Sequence, residues 1–179
     1  NIFIEKPLVW NLKDLNKIKK YYQKYNINLF AGYVLRYDPR IIYIKNKIKK
    51  DLKKIKYANF FLQTYMPSWH PKENYKTSYA SQKKLGGGVL LELSHEIDYL
   101  CWIFGSIAWV KSHISKQSGL DLDVEDSANV ILGFKGVIES ELVASLNMDF
   151  IRHDNTRKCF VIGEKGTLLW DGISGSVNY

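Results

Sequence analysis

The sequence predicts an α/β segment followed by an α+β domain: the end of a parallel sheet, then an open, largely antiparallel β-sheet packed on helices. Two observations lead to this fold class. Residues 2–35 show a short apolar run, an amphipathic helical pattern and a second apolar run, which is the order of a βαβ unit. From Ile107 onward, short runs alternate with tight turns, as in antiparallel sheets. We therefore divide the chain into residues 1–37 and 38–179.

The composition is that of a globular chain and argues against a nucleic-acid surface or a membrane span. The 179 residues are 46% hydrophobic and 25% charged, with no apolar stretch of the length that a bilayer requires. The net charge of +8 is concentrated between Lys13 and Lys56. Lys outnumbers Arg 22 to 4, whereas base readout favours Arg, so a solvated lysine face is favoured over nucleic-acid binding. Cys101 and Cys159 lie in apolar surroundings, as free thiols in a reducing cytoplasm do.

The first elements form a βαβ unit with a helix that has clear end signals. Residues 2–4 predict a buried strand, and residues 29–35 predict a second strand parallel to it. Between them, apolar residues recur every three or four positions, with Asn11 as a good N-cap and Asp14 in the first turn. After Asp38, a lysine-coated helix is predicted through Ile55.

The remaining elements alternate long and short. An aromatic strand covers residues 58–65, a polar loop covers 66–85, and an apolar helix covers 89–104. A loop of about twenty residues in a compact domain is usually functional or mobile. Strands follow at 126–134 and 137–148 around the turn Lys135-Gly136, and at 157–162 and 167–170 around the turn at 163–166. In the second of these strands the polar residues share one face, which is expected to be wet or covered by a partner: Glu139, Glu141, Ser145 and Asn147.

Three features could carry chemistry. Lys6 follows the first strand, where an open α/β sheet binds its ligand, although a surface lysine before a turn is the simpler interpretation. The run Gly86-Gly87-Gly88 opens a helix, where free amides can approach an anion or a polar sugar, or where the chain simply needs a flexible entry. His95 has Glu92 three residues before it and Asp98 three after it, so carboxylates could orient it and stabilise its imidazolium.

His95 has three possible roles from its spacing alone. It could be a general base working near neutral pH, or a structural histidine of a helix. It could also ligate a metal with Glu92, but a complete set would need ligands from His70, His113 or His153, and no spacing supports that. We therefore predict no metal site.

Four segments, in order, carry a resemblance to a known family. They are Glu5-Lys6-Pro7, residues 32–39 with Arg36 and Pro39, residues 86–98 with the glycine run, His95 and Asp98, and residues 163–167. Together they resemble the EKP, GxxxRxxP, GGG…H…D and late-hairpin motifs of the Gfo/Idh/MocA family of NAD(P)-dependent oxidoreductases. One departure matters: many members carry an aspartate four residues before the histidine, where this chain has Leu91, with Glu92 at three.

The resemblance implies a fold, a reaction and a site. Residues 1–37 would be the last βαβ part of a Rossmann dinucleotide-binding domain, and 38–179 a substrate-binding and oligomerisation domain. The reaction would move a hydride between NAD or NADP and a hydroxyl-bearing carbon of a sugar, nucleotide-sugar or cyclitol. Lys6, His95 and Glu92 would be catalytic. Glu5, Lys6, Pro7, Arg36 and Trp69 would contact the cofactor, and Tyr75, Tyr79, Gly88 and Asp98 the substrate.

Further expectations follow from the same resemblance. The protein would be a cytoplasmic homodimer or homotetramer that associates through the open sheet, with no nucleic-acid or membrane partner. The family's GxGxxG phosphate-binding pattern does not occur in this sequence, so the first half of the Rossmann domain is expected to lie outside it, and this chain alone is expected to bind NAD(P) weakly and to be inactive. The alternative is a non-catalytic sugar-binding or oligomerisation module of the same fold.

Overall fold

A computed structural model of the protein describes residues 1–69, 71–135 and 142–179. The helices are α1 (Leu12–Tyr25), α2 (Pro39–Lys50), α3 (Met66–Trp69), α4 (Val89–Glu92) and α5 (Ser94–Phe104). The strands are β1 (Ile2–Ile4), β2 (Leu29–Ala31), β3 (Ile55–Tyr65), β4 (Ser106–Ser115), β5 (Ser127–Lys135), β6 (Leu142–Asp149), β7 (Ile151–Gly163), β8 (Gly166–Asp171) and β9 (Ser176–Asn178). Short 3-10 turns occupy Val34–Tyr37, Tyr75–Thr77, Tyr79–Ser81 and Lys83–Leu85. Of the helices in these ranges, none has the length and apolar character to cross a bilayer.

The βαβ unit forms in the predicted order, but the prediction that β1 is buried is wrong: Ile2 and Phe3 are exposed, because the sheet has only two strands among the described residues. β1 and β2 pair in parallel, with Ile2 opposite Leu29, and α1 connects them. The Asn11 side chain accepts a hydrogen bond from the Asp14 amide at 2.8 Å, which satisfies one of the free donors at the start of the helix. The second strand is shorter than predicted: after Ala31 the amides of Tyr33 and Val34 donate to carbonyls two residues earlier, so the chain curls away from the sheet.

α2 is also shorter than its apolar pattern. Asp38 caps it and Pro39 occupies the first position, where a missing amide costs nothing. The helix ends at Lys50, so the prediction of a helix through Ile55 is wrong: Ile55 begins β3. Leu52 and Ile55 are buried all the same, because the apolar residues of the connection pack into the same core.

A seven-stranded sheet of order β4-β5-β6-β3-β7-β8-β9 organises the rest of the described chain. Its neighbours are antiparallel except for β3 and β6, which pair in parallel with Ala58 opposite Ala144. A parallel pair needs a crossover connection. Here the chain leaves β3, passes through α3, α4 and α5, and then forms β4 and β5 before it reaches β6. The fold class of an open, largely antiparallel sheet on helices is thereby confirmed. The core lies between one face of this sheet and the helices, and includes Ile44, Phe60, Tyr99, Leu100, Phe104, Leu132, Leu146 and Val161.

The opposite face of the sheet is mixed. Ser145 and Asn147 lie on it as predicted, where Ser145 accepts a hydrogen bond from Tyr57 at 2.8 Å and Asn147 donates one to Asn59 at 3.1 Å. Exposed aliphatic side chains of Ile162 and Leu169 lie on β7 and β8, so the described part of this face is less polar than expected. Gly136, Glu139 and Glu141 fall outside the described residues.

Residues 66–104 contain two differences from the sequence prediction. The predicted loop at 66–85 holds α3 and three 3-10 turns. The predicted single helix at 89–104 is two helices, because Leu93 leaves helical geometry with φ −96° and ψ 19°. This break lies between Glu92 and His95, so helical spacing does not govern how these two side chains are placed.

Both cysteines are free thiols: Cys159 is buried, and Cys101 is half-buried.

Candidate active site

A cavity of about 510 Å³ opens beyond the carboxyl end of β1. Its wall contains six of the residues that the sequence selects: Glu5, Lys6, Trp69, Tyr75, Tyr79 and Glu92. Met66, Glu73, Ser78 and Ala80 complete it. The loop after β1 supplies Lys6, the 3-10 turns after α3 supply the tyrosines, and the end of α4 supplies Glu92. The sequence therefore locates this cavity well, although it overlooks Glu73.

Lys6, Tyr79 and Glu92 form one hydrogen-bonded group, which we call the cavity cluster. The ammonium of Lys6 donates to the backbone oxygen of Glu92 at 2.5 Å and to its carboxylate Oε1 at 3.1 Å. The hydroxyl of Tyr79 donates to Oε2 of the same carboxylate. Burial and the Glu92 carboxylate raise the pKa of Tyr79, so it remains a donor. Glu92 thus fixes Lys6 at the cavity wall.

Two further aromatic residues, Trp69 and Tyr75, line the cavity. The Trp69 ring lies 5.9 Å from the Phe150 ring and packs partly on the core. The Tyr75 hydroxyl accepts a hydrogen bond from the Asp121 amide at 3.3 Å. The turns that carry these side chains are therefore anchored to the body of the domain.

His95 lies on α5 and is not part of the cavity wall, but it is near enough to Lys6, a wall residue, for that ammonium to lower its pKa. Its Nε2 is 3.4 Å from Oε1 of Glu96, and its side chain is 18% exposed. Burial, Arg157 and then Lys6 lower the pKa of His95 from 6.5 to about 3. The expectation that Glu92 and Asp98 flank His95 and stabilise its imidazolium is wrong, because Glu92 is bonded to Lys6 and the net effect of the surroundings favours the neutral ring.

His95 belongs to a second group of interacting side chains, which the sequence analysis did not predict. We call it the buried cluster, and it consists of His95, Glu96, Tyr99 and Arg157. Glu96 is 0% exposed. Its Oε1 accepts a hydrogen bond from Nη2 of Arg157, and its Oε2 accepts one from the Tyr99 hydroxyl at 2.5 Å. Burial raises the pKa of Glu96, and Arg157 opposes that effect. No local pattern signals this cluster, because Arg157 and Glu96 are 61 positions apart in the sequence.

Arg36 and Asp98 are bonded to each other instead of facing the cavity. Nε and Nη2 of Arg36 donate to the two carboxylate oxygens of Asp98 at 2.8 Å and 2.6 Å. Asp98 raises the pKa of Arg36 through this contact. The pair ties the turn after β2 to α5, and so joins residues 1–37 to the helix that carries His95.

The space beside the glycine run, residues 86–88, is filled by other groups of the protein. Gly88 has φ +110°, and a Cβ there would lie 2.3 Å from Oε1 of Glu125. The same carboxylate oxygen accepts a hydrogen bond from the Leu90 amide at 3.2 Å. A Cβ at Gly87 would lie 2.5 Å from the Tyr79 carbonyl. The glycines permit close backbone packing, and Glu125 fills the position beside the helix start where an anion was expected. Gly88 is not in the cavity wall, and neither is Pro7.

The histidines considered as metal ligands are dispersed. His113 contacts Ser115 on β4, and His153 stacks on Tyr65, while His70 falls outside the described residues. Within the part of the chain that the structure describes, there is no group of three His, Cys, Asp or Glu side chains that could hold a metal ion.

The model of the GFO/IDH/MocA C-terminal domain matches residues 54–169. The chain belongs to the Gfo/Idh/MocA family. The resemblance inferred from the motifs is thus confirmed, and the matched range contains His95, Glu92 and the seven-stranded sheet apart from β9 and the end of β8. A search of curated proteins found no match.

Solved structures with the same fold share about half their length with this chain. The WlbA dehydrogenase from Bordetella pertussis in complex with NADH and UDP-GlcNAcA has a TM-score of 0.84 at 17% identity, covering 100% of this chain and 51% of that one. GenD2 from gentamicin A biosynthesis in complex with NAD has 0.78 at 21%, covering 96% and 47%. The myo-inositol 2-dehydrogenase from Lactobacillus plantarum has 0.75 at 21%, covering 94% and 50%. At these identities the likeness shows the fold.

Proposed function

We propose that this chain is the substrate-handling part of an NAD(P)-dependent oxidoreductase that acts on a hydroxyl-bearing carbon of a sugar, nucleotide-sugar or cyclitol. The observation that carries the proposal is Lys6, held by Glu92 and Tyr79 in the wall of a 510 Å³ cavity, with an uncharged His95 beside it. The Bordetella pertussis WlbA complex with NADH and UDP-GlcNAcA, and the Lactobacillus plantarum inositol dehydrogenase, support this class of substrate.

The residues at the cavity fit the nicotinamide end of such a cofactor. In open α/β sheets dinucleotides bind beyond the carboxyl ends of the strands, and Glu5 and Lys6 occupy that position after β1. Trp69 offers an aromatic surface on the same cavity. When bound, the nicotinamide supplies hydride exchange with a carbon atom. The pyrophosphate would need a glycine-rich turn at a helix start, and this sequence has no GxGxxG.

Lys6 would contact the reacting hydroxyl. An ammonium held in a partly buried wall stabilises negative charge that develops on a substrate oxygen, more strongly than it would in water. Glu92 restrains the Lys6 ammonium, because its backbone oxygen and its carboxylate both accept hydrogen bonds from that group. The supporting carboxylate therefore acts on Lys6, whereas the sequence assigned it to His95.

His95 would take the proton from the substrate hydroxyl. A base must be uncharged before it accepts a proton, and burial, Arg157 and Lys6 lower the pKa of His95 to about 3, so the imidazole is uncharged throughout the neutral range. The same surroundings oppose the positive charge that the ring gains with the proton, so His95 is a weaker base here than an ordinary histidine. We therefore expect activity to persist below the pH at which an ordinary histidine becomes protonated, and this replaces the expectation of a base that titrates near neutral pH.

The first test is turnover by the full-length protein with a panel of sugars and cyclitols and both cofactors. His95→Asn should lower kcat by about a hundredfold or more with folding intact, and Lys6→Met should do the same. His113→Asn, an exposed position on β4, is the matched control and should leave kcat unchanged. Wild-type turnover in His95→Asn would return this residue to a structural role.

The same experiment separates the alternative function. A non-catalytic sugar-binding module would bind a sugar without any reduction or oxidation of the cofactor, and both variants would then leave its behaviour unchanged. Self-association through the open face of the sheet, and a cytoplasmic location, stay predictions.

A further inference from the structure

We infer that Arg157 is a positioning residue for the base: its ion pair with Glu96 fixes the carboxylate that lies beside Nε2 of His95, and so sets the orientation of the imidazole and how readily it takes up a proton. This inference rests on the proposed function, in which His95 is that base.

The geometry couples the three side chains through one oxygen atom. Oε1 of Glu96 accepts the hydrogen bond from Nη2 of Arg157 and also lies 3.4 Å from Nε2 of His95. The other oxygen is committed to the Tyr99 hydroxyl. Because Glu96 has no exposed surface, solvent screens these charges poorly. A proton that arrives at His95 must therefore compete with the guanidinium for the same carboxylate oxygen.

The other ionisable groups around the pair are few among the described residues. Lys6 faces His95 from the loop after β1, and Tyr99 and Cys159 face Glu96 from α5 and β7. Burial raises the pKa values of Tyr99 and Cys159, so both stay uncharged at neutral pH. Lys6 has Glu92 as its counterion, and Arg157 has Glu96. Arg157 is thus the cation that acts on the pair directly.

Arg157 is held in this position by the neighbouring strand. Its guanidinium carbon lies 5.7 Å from the Trp170 ring, and its backbone oxygen accepts a hydrogen bond from the Gly172 amide at 2.6 Å. A Cβ at Gly172 would come within 3.0 Å of the Arg157 side chain. The hairpin of β7 and β8 therefore delivers the guanidinium to Glu96 in one orientation.

Removal of the charge should raise the proton affinity of His95. In Arg157→Met the Glu96 carboxylate loses its counterion and acts on the imidazole alone, so His95 takes up a proton at a higher pH. Arg157→Lys restores the positive charge without the planar fork and should recover most of the wild-type behaviour. A purely structural role would lower activity at every pH and leave the titration where it was.

The test is a titration of His95 by NMR in the 179-residue chain labelled at histidine, with no cofactor present. The His95 signal is assigned by its loss in His95→Asn. In the wild-type chain it should stay neutral well below pH 6, and in Arg157→Met its midpoint should rise by about one pH unit or more. Arg157→Lys should shift less than half as far. Arg152→Met, on the same strand but partly exposed and paired with Asp154, should not shift it.

A second variant keeps the test decisive if Arg157→Met does not fold, since it leaves a buried carboxylate without a counterion. Arg157→Met combined with Glu96→Gln removes both charges, and His95 should then titrate close to the wild-type position. A midpoint in Arg157→Met that equals the wild type, or a midpoint in the double variant that is a full unit higher, would overturn the inference. Neither result bears on the base role itself, which fails only if His95→Asn retains turnover.

Discussion

Glu92 and Glu96 are four residues apart, yet they perform opposite tasks. Glu92 borders the cavity and binds Lys6 and Tyr79, which come from the loop after β1 and a 3-10 turn. Glu96 is sealed from solvent and binds Arg157, from the sheet, and Tyr99, from its own helix. The first carboxylate presents a cation to a ligand, and the second balances a cation inside the core. One residue type serves both because the partner and the exposure decide the role.

The largest expected difference between the two clusters is in stability. Glu96→Ala should lower the free energy of unfolding by about 3–5 kcal/mol, because it leaves the Arg157 guanidinium without its counterion in a buried site. Glu92→Ala should cost only about 1 kcal/mol, since the ammonium of Lys6 can reach the water of the cavity. Urea denaturation of the chain followed by circular dichroism measures both. Equal losses would show that the two carboxylates differ less in burial than their contacts indicate.

The next prediction concerns how stability depends on pH. The pKa of His95 is lowered from 6.5 in an exposed setting to about 3 in the folded protein. Between these two pH values the unfolded chain binds a proton at His95 that the folded chain does not bind. The stability that a neutral His95 contributes is therefore fully present above pH 6.5 and is lost as the pH falls toward 3. The slope is at most about 1.4 kcal/mol per pH unit. His95→Asn should flatten that slope, whereas His153→Asn, an exposed position, should not. Identical slopes in wild type and His95→Asn would contradict a neutral His95.

The smallest expected effect comes from the edge of the cavity cluster. Tyr79→Phe removes one hydrogen bond to Glu92, while the bonds from Lys6 remain. We expect a loss of about 1 kcal/mol or less in stability, and a fall in kcat/KM of full-length protein of no more than about tenfold. Tyr21→Phe, exposed on α1, is the control. A hundredfold fall would indicate that Tyr79 itself contacts the reacting groups.

The features predicted correctly from sequence depend on nearby residues. The Asn11 cap and the alternation along β6 each follow from side chains within a few positions of one another. The cavity residues Lys6, Trp69, Tyr75 and Tyr79 were assigned to the site because the order of the family motifs can be recognised directly in the sequence. The parallel pairing of β3 and β6 was not predicted, because strand neighbours separated by several elements leave no local pattern.

The misassigned partners in the site have two causes. The spacing of Glu92, His95 and Asp98 suggests one helical face, but the helix breaks at Leu93, between Glu92 and His95, so helical spacing does not hold across that position. Asp98 meets Arg36 and Glu96 meets His95, although Glu96 is only one position away and would normally point elsewhere. Within the continuous helix α5, Asp98 binds an arginine 62 positions away along the chain, and no local spacing predicts such a partner.

The sequence by itself determined the βαβ start, the family and the region of the cavity, since caps, periodicities and motif order depend on short stretches of chain. Only the tertiary structure decided which charged side chains form ion pairs with each other. Lys6 and Glu92 are 86 positions apart, and Arg157 and Glu96 are 61 apart. In a chain with 26 Lys and Arg side chains and 18 carboxylates, the sequence is equally compatible with many other ion pairs. Burial selects among them, because a charge taken out of water must find its partner within the fold.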